Sequence, residues 1–285
     1  MGTVRKNSHW YMLALLSVGT LFVWYAVIIE TQGGKLHVSF LDVGQGDAIF
    51  ITAPNGNQVL VDAGPDKQTL RVLSRVMPFY DRSIDAVVVS HPDQDHIGGL
   101  PDILNRYAVN TVVESGVSSE SSTYKDVEKK IADGGIETVT ARRGMRINMG
   151  SGAIIHVLFP DRNPQGWDTN DASIVAQLQF GNTSVMLTGD SPQTIESYLV
   201  SIDGKKLKSD ILKAGHHGSR TSSDELFVGF ISPAYAVISV GKNNKYGHPN
   251  KEILDLFANL SVQTLRTDEL GTISFSSDGT NFTRD

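Results

Sequence analysis

The sequence contains no cysteine among its 285 residues. Disulfides and thiolate metal sites are therefore excluded, and any metal must sit on histidine, aspartate or glutamate. Positive charge is in short supply: 25 Lys and Arg stand against 31 Asp and Glu, a net charge of −6. A broad electrostatic grip on nucleic acid is not expected, although a local basic strip is compatible with this balance. There are three tryptophans and eight tyrosines, several of them near the N-terminus. No stacking platform for bases stands out from such a distribution. Internal repeats and low-complexity stretches are not evident. Charge is missing altogether from residues 10–29, WYMLALLSVGTLFVWYAVII.

Those twenty positions span about 30 Å as a helix, enough to cross a bilayer core. Trp10 and Tyr11 lie near one end, Trp24 and Tyr25 near the other, where interfacial aromatics belong. Arg5 and Lys6 precede the stretch and Glu30 follows it. The positive-inside rule keeps the N-terminus cytoplasmic and sends the remainder across. A cleaved signal peptide is the competing reading. Its apolar core is usually about 7–15 residues, and no convincing small-x-small cleavage site precedes Gly33. We therefore expect a cytoplasmic stub and single transmembrane anchor over residues 1–32. Residues 33–285 then form one extracytoplasmic domain, secreted if the segment is cleaved.

After the Gly33-Gly34 break, short apolar strands alternate with helices. KLHVSFLDV, DAIFITAP and NQVLVDAG read as strands, with hairpin chemistry at Pro54-Asn55-Gly56-Asn57. IDAVVVS is a buried strand, its apolar run too short for a helix. SIVAQLQF and TSVMLTGD form a second hairpin around Gly181-Asn182. Helices are expected over 68–77, 98–107, 124–132, 192–200, 223–230 and 250–258. Strand-rich ends with alternating helices predict an α/β fold of two sheets with helices outside, an αββα sandwich.

The strand IDAVVVS delivers the loop SHPDQDHIGG, with His91, Asp93, Asp95 and His96 inside six residues. Divalent metals such as zinc or manganese accept imidazole and carboxylate together. Four such donors can feed two metals about 3.5–4 Å apart. Three further apolar strands end in the same way. VMLTGD ends on Asp190, DILKAGHHGS on His216-His217, and AVISVGKNNKYGHPN presents His248. Alone, Asp190 reads as a turn residue and His248 as a surface one. Together they meet one need, a metal site ringed by loops.

These motifs, FLDVGQGDAIFI, VDAG, SHPDQDHIGG, LTGD, HHGS and GHP in that order, resemble the metallo-β-lactamase superfamily. More narrowly, they resemble the metallo-hydrolase domain at the C-terminus of the ComEC/Rec2 competence proteins, over about residues 35–285. The multi-span channel of those proteins has no counterpart in this sequence, so DNA transport through this chain alone is not expected. HPDQDH looks like the superfamily's HxHxDH signature, with Asp93 in place of the second histidine.

The resemblance implies that His91 and Asp93 hold one metal, Asp95 and His96 another, and that Asp190 bridges them. The superfamily's usual third histidine is absent; Asn170 stands in that stretch. We expect His216 to compensate and His248 to serve the second metal, with His217 as the rival to His216. Asp62 and Asp47 are expected just behind the ligands, Asp62 fixing the tautomer of a ligand histidine. For Asp62, a plain turn aspartate is an equal alternative. Asp95, His217 and His248 are placed at the reacting centre. Asn170, His217 and Ser219 are candidate donors to a substrate oxygen. Lys242 and Lys245 suit a phosphate, or are simply solvated.

The implied chemistry is hydrolysis by water activated on two divalent ions, Zn2+ or Mn2+. Asp93 adds a hard oxygen, which favours manganese. The implied substrate is a phosphodiester, with single-stranded DNA as the expected polymer. A small cell-envelope phosphoester, or a metal-bound binding module without catalysis, are the alternatives.

Overall fold

A computed structural model describes residues 8–31 and 34–285, and within the first helix it describes side chains only as far as Ala26. Arg5, Lys6 and the expected domain break at Gly33 lie outside the described residues. Helix α1 (Ser8–Thr31) carries the apolar stretch. Its segment Ser8–Ala26 has a mean hydropathy of 1.2 and is long enough to cross a membrane.

The strands follow in three groups. β1 (Leu36–Phe40), β2 (Ile49–Thr52), β3 (Gln58–Val61), β4 (Ser83–Val89), β5 (Ala108–Glu114) and β6 (Glu137–Thr140) belong to a first sheet. β7 (Arg146–Gly150), β8 (Ala153–Phe159), β9 (Val175–Phe180), β10 (Thr183–Leu187), β11 (Ile211–Lys213), β12 (Tyr235–Ile238) and β13 (Gln263–Arg266) build a second. β14 (Ile273–Ser277) and β15 (Phe282–Arg284) return to the first, where β14 pairs with β1. Both hairpins form as expected: β2 pairs antiparallel with β3, and β9 with β10 through Gly181-Asn182. β3 to β6 run parallel, as do β10 to β13.

Helices cover both outer faces. α2 (Gln68–Val76), α3 (Gln94–Ile97), α4 (Leu100–Arg106) and α5 (Ser122–Gly134) lie with the first sheet. α6 (Gln193–Asp203), α7 (Glu225–Ile231) and α8 (Lys251–Asn259) lie with the second, and α9 (Thr267–Leu270) is a short turn after β13. Three apolar layers result. Val38, Val88, Ile155, Leu187 and Phe275 pack between the sheets. Leu60, Val87, Leu73 and Ile103 pack under the first set of helices, Leu212, Leu199 and Phe257 under the second. β4 contributes to two layers, Ala86 and Val88 inward and Ile84, Val87 and Val89 outward. That is why its sequence is continuously apolar. This is the αββα sandwich.

The helix expected over 98–107 is shorter, α4 starting at Leu100, and the separate turn α3 precedes it, ending at Ile97 before two glycines. A Cβ on Gly98 would run into the Pro65 carbonyl oxygen, so only glycine lets the loop lie this close. The edge strands β7 and β15 were not expected from the sequence. β7 alternates over only five residues, with Ile147 half-buried and Met149 buried, too short a pattern to stand out between its neighbours.

Candidate metal centre

The chemistry-bearing loops leave the carboxyl ends of β3, β4, β10, β11 and β12, which gather at one edge of the sandwich. There Asp95, His96, Asp190 and His217 offer donor atoms that all lie within 4.8 Å of one another. The Nε2 of His96 is 3.3 Å from Asp190 Oδ1. The Nε2 of His217 is 3.3 Å from Asp95 Oδ2 and 3.6 Å from Asp190 Oδ2.

A layer behind this cluster fixes the rings. His96 Nδ1 donates to Asp62 Oδ2 at 2.9 Å. His217 Nδ1 donates to the Ser239 carbonyl at 2.9 Å. Ser90 gives its hydroxyl hydrogen to Asp62 Oδ2 at 2.7 Å, so it accepts from His91 Nδ1 at 3.0 Å. All three imidazoles thus turn Nε2 the other way. These three Nε2 atoms and Asp190 Oδ1 are buried without a hydrogen-bond partner. Buried donors and acceptors are normally satisfied, and a divalent cation is the partner that this set of nitrogens and oxygens fits.

Two members of the rear layer came with different signals. Asp62 was visible in VDAG. Lys213 was missed: its Nζ sits 2.6 Å from Asp47 Oδ2, and the side chain is fully buried. Asp47 Oδ1 in turn lies 3.3 Å from His217 Nδ1. A lysine inside the apolar strand DILKAG was the available clue, because a buried cation requires a partner. Gly46 belongs to the same packing, for a Cβ there would meet the Asp95 carbonyl.

Of the histidine doublet, His217, the rival to His216, is the member that joins the cluster. Both residues have left-handed backbone, φ 48° and 55°, and the Ser239 carbonyl holds His217 inward. His216 is 28% exposed, donates or accepts at Thr221 Oγ1 through Nδ1, and places Nε2 3.6 Å from Asp190 Oδ2. His248 is not in the cluster either. Its ring lies 5.6 Å from that of His216, and its Nδ1 is buried without a partner. His91 is buried beside His96, ring centroids 4.0 Å apart, and its Nε2 is 3.7 Å from Asp93 Oδ2. Asp93 itself is 39% exposed.

The remaining candidates stand around this rim. Thr169, next to Asn170, hydrogen-bonds Asp93. Asn170 has a buried Oδ1 without a partner. Ser219 is paired with Thr221. Lys242 lines a cleft of about 630 Å³ with His248 and Arg266, whereas Lys245 sits over the Tyr246 ring at 5.1 Å.

Charge in the centre is strongly coupled to burial. Burial lowers the His217 imidazole, but Asp190 and Asp47 outweigh it and hold it at about 9. Burial opposes a proton on His96 too, yet Asp190 and Asp62 raise it well above the ordinary range. For His91, burial and the nearby His96 outweigh Asp190, Asp62 and Asp95 and bring it down to about 4. For Asp190, the histidines overcome burial and hold the carboxyl well below its usual range. The carboxylates that raise His96 and His217 are the same groups that would draw a cation into the cluster.

Known proteins place these features in context. The chain is 34% identical to ComE operon protein 3 of Bacillus subtilis (strain 168) over 95% of its own length and 37% of that protein's. It is 28% identical to competence protein ComA of Neisseria gonorrhoeae, over 84% of this chain and 32% of that one. It spans about a third of the length of these relatives. Among solved structures, the metallo hydrolase Igni18 of Ignicoccus hospitalis has the same fold. The TM-score is 0.56 at 14% identity, covering 85% of this chain and 98% of that one. The profile of the metallo-beta-lactamase superfamily matches residues 41–242. Fold, ordered motifs and donor set agree, and the chain belongs to the metallo-beta-lactamase superfamily.

Proposed function

We propose that this chain is a membrane-anchored hydrolase that cleaves phosphodiester bonds of DNA strands with two divalent ions. The observation that carries this reading is the buried cluster of Asp95, His96, Asp190 and His217, with its unpartnered Nε2 atoms. Those four residues would hold one ion, and His91, Asp93 and Asp190, with His216 at the rim, would hold the other. Divalent ions held there would supply an acidified water and neutralise charge on a phosphoryl oxygen. The carboxylates of Asp93 and Asp95 favour manganese, with zinc the alternative.

The chain's own groups do the rest. Asp62 and the Ser239 carbonyl hold the two cluster imidazoles in one tautomer, with Nε2 inward. Arg266 is neutralised by Asp268 and Glu269, so Lys242 is the cation that the cleft offers to a phosphate. His248, with an unpartnered ring nitrogen, and the side-chain amide nitrogen of Asn170 suit donation to a substrate oxygen. Helix α1 anchors the chain, and Arg5 and Lys6 favour a cytoplasmic N-terminus with the hydrolase outside. The likeness to competence protein ComA supports DNA as the polymer.

The full chain in detergent, supplied with manganese or zinc, tests this on labelled single-stranded DNA and on bis-p-nitrophenyl phosphate. Turnover of both is expected. Turnover of the small ester alone points to a small cell-envelope phosphoester. Metal bound without any turnover contradicts the hydrolase reading and leaves a binding module.

A further inference from the structure

A groove of about 1090 Å³ lies between α2 and α4, on the outer side of the first sheet. At one end its wall is Pro65, Gln94 and Gly98, beyond the carboxyl ends of β3 and β4. At the other end are Phe79 and Arg82, just before β4 begins. The groove therefore runs the length of a strand and ends against the metal-bearing loop. Gln94 forms its wall, while Asp93 and Asp95 on either side belong to the centre.

The lining is built from two faces. α2 buries Thr69, Val72 and Leu73 against the sheet. One turn around the helix, Lys67, Leu70, Arg71 and Ser74 follow the i, i+3, i+4, i+7 spacing and face the groove. Arg82 and Arg106 come from the opposite side. Four cations thus line a groove whose carboxylates are Asp66 and Asp102, in a chain of net charge −6. All four are exposed. None joins an ion pair among the described residues, whereas Arg143, Arg162 and Arg266 each hold a carboxylate. Phe79 at the far end is 84% exposed, with the Tyr80 ring 5.3 Å away. Burial gains nothing from such a phenylalanine; a π-face open to solvent is what a base stacks on.

We propose that this groove seats single-stranded nucleic acid, its phosphates against Lys67, Arg71, Arg82 and Arg106 and a base on Phe79, leading toward the metal centre. This rests on the phosphodiester reading of that centre. A helix the length of α2 spans about 13 Å, room for a short stretch of single strand. The cations also supply the local basic strip that the overall charge left open.

The test uses the full chain in detergent micelles with metal chelated, and a short fluorescein-labelled oligodeoxythymidylate. Anisotropy gives Kd across a salt series for the parent, for Arg71→Glu/Arg106→Glu and for Phe79→Ala. Removing two phosphate contacts flattens the dependence of log Kd on log salt by about 1.4, and charge reversal weakens binding by at least about tenfold. Phe79→Ala weakens it by about tenfold. With manganese restored, all three proteins hydrolyse bis-p-nitrophenyl phosphate equally. Parent-like Kd and slope in the double variant overturn the proposal, and that is the result if the groove instead seats a polypeptide segment. Failure of the parent to bind the strand overturns it as well, while small-ester turnover still decides the reading of the centre. Weakened binding in the variants without any small-ester turnover sustains the groove and removes the phosphodiesterase.

Discussion

The two sides of the candidate centre are built differently. Asp95, His96, Asp190 and His217 converge within 4.8 Å, and three of the four are fully buried. Two of these residues are locked from behind, His96 by Asp62 and His217 by Ser239. Asp93, His216 and His248 form an opposite rim that is partly exposed. The rim has a hydroxyl partner at His216 and backbone contacts at His248. Buried, pre-oriented donors lose little freedom on gaining a cation; exposed ones lose more. The inner group is thus made to hold an ion, and the rim to meet substrate or a more weakly held second ion.

The largest contrast is expected from the shared carboxylate. Asp190→Ala should cost more than about 100-fold in metal affinity, beyond what loss of a supporting group costs, and should abolish hydrolysis. Metal content after gel filtration checks it, and full content would remove Asp190 from the site. Next comes the doublet. His217→Ala should lower affinity by about 100-fold, whereas His216→Ala should change it by about tenfold or less and mainly lower turnover. Equal metal loss in both would erase the distinction between inner group and rim.

Sequence reasoning reached most of the first contrast and stopped at the second. β4 was legible because both of its faces are buried, so VVVS read as a core strand delivering His91. Asp190 was legible because VMLTGD ends an apolar strand. His216 and His217 are neighbours with the same left-handed backbone. Only a partner 22 residues away, the Ser239 carbonyl, decides which ring turns inward. Local pattern carries no trace of that bond. Lys213 was hidden for a related reason: its mate Asp47 lies in another motif, on the other sheet.

That buried pair sharpens the comparison at the level of the fold. Lys213→Met leaves Asp47 buried beside His217 with less compensation, and should destabilise the metal-free chain by about 3–5 kcal/mol. Denaturant unfolding measures this. Unchanged stability would mean that the buried pair does not hold the two sheets together here. The same substitution at exposed Lys242 should stay within about 0.5 kcal/mol.

A smaller effect follows from charge. In the metal-free chain the carboxylates hold His217 at about 9 and His96 well above its ordinary range, which favours the protonated imidazoles at pH 7. Metal ligation requires neutral imidazole. Binding of manganese at pH 7 should therefore release protons, and apparent affinity should rise with pH until about 9. Titration calorimetry in buffers of differing ionisation enthalpy reads the release directly. Binding without proton release would contradict the charge assignment.

The most direct measurement is anomalous X-ray diffraction from crystals of the full chain soaked in manganese. A peak bounded by Asp95, His96, Asp190 and His217 is expected. No peak there, or one held by His216 and His248 while His217 stays unligated, would rule out this inner site.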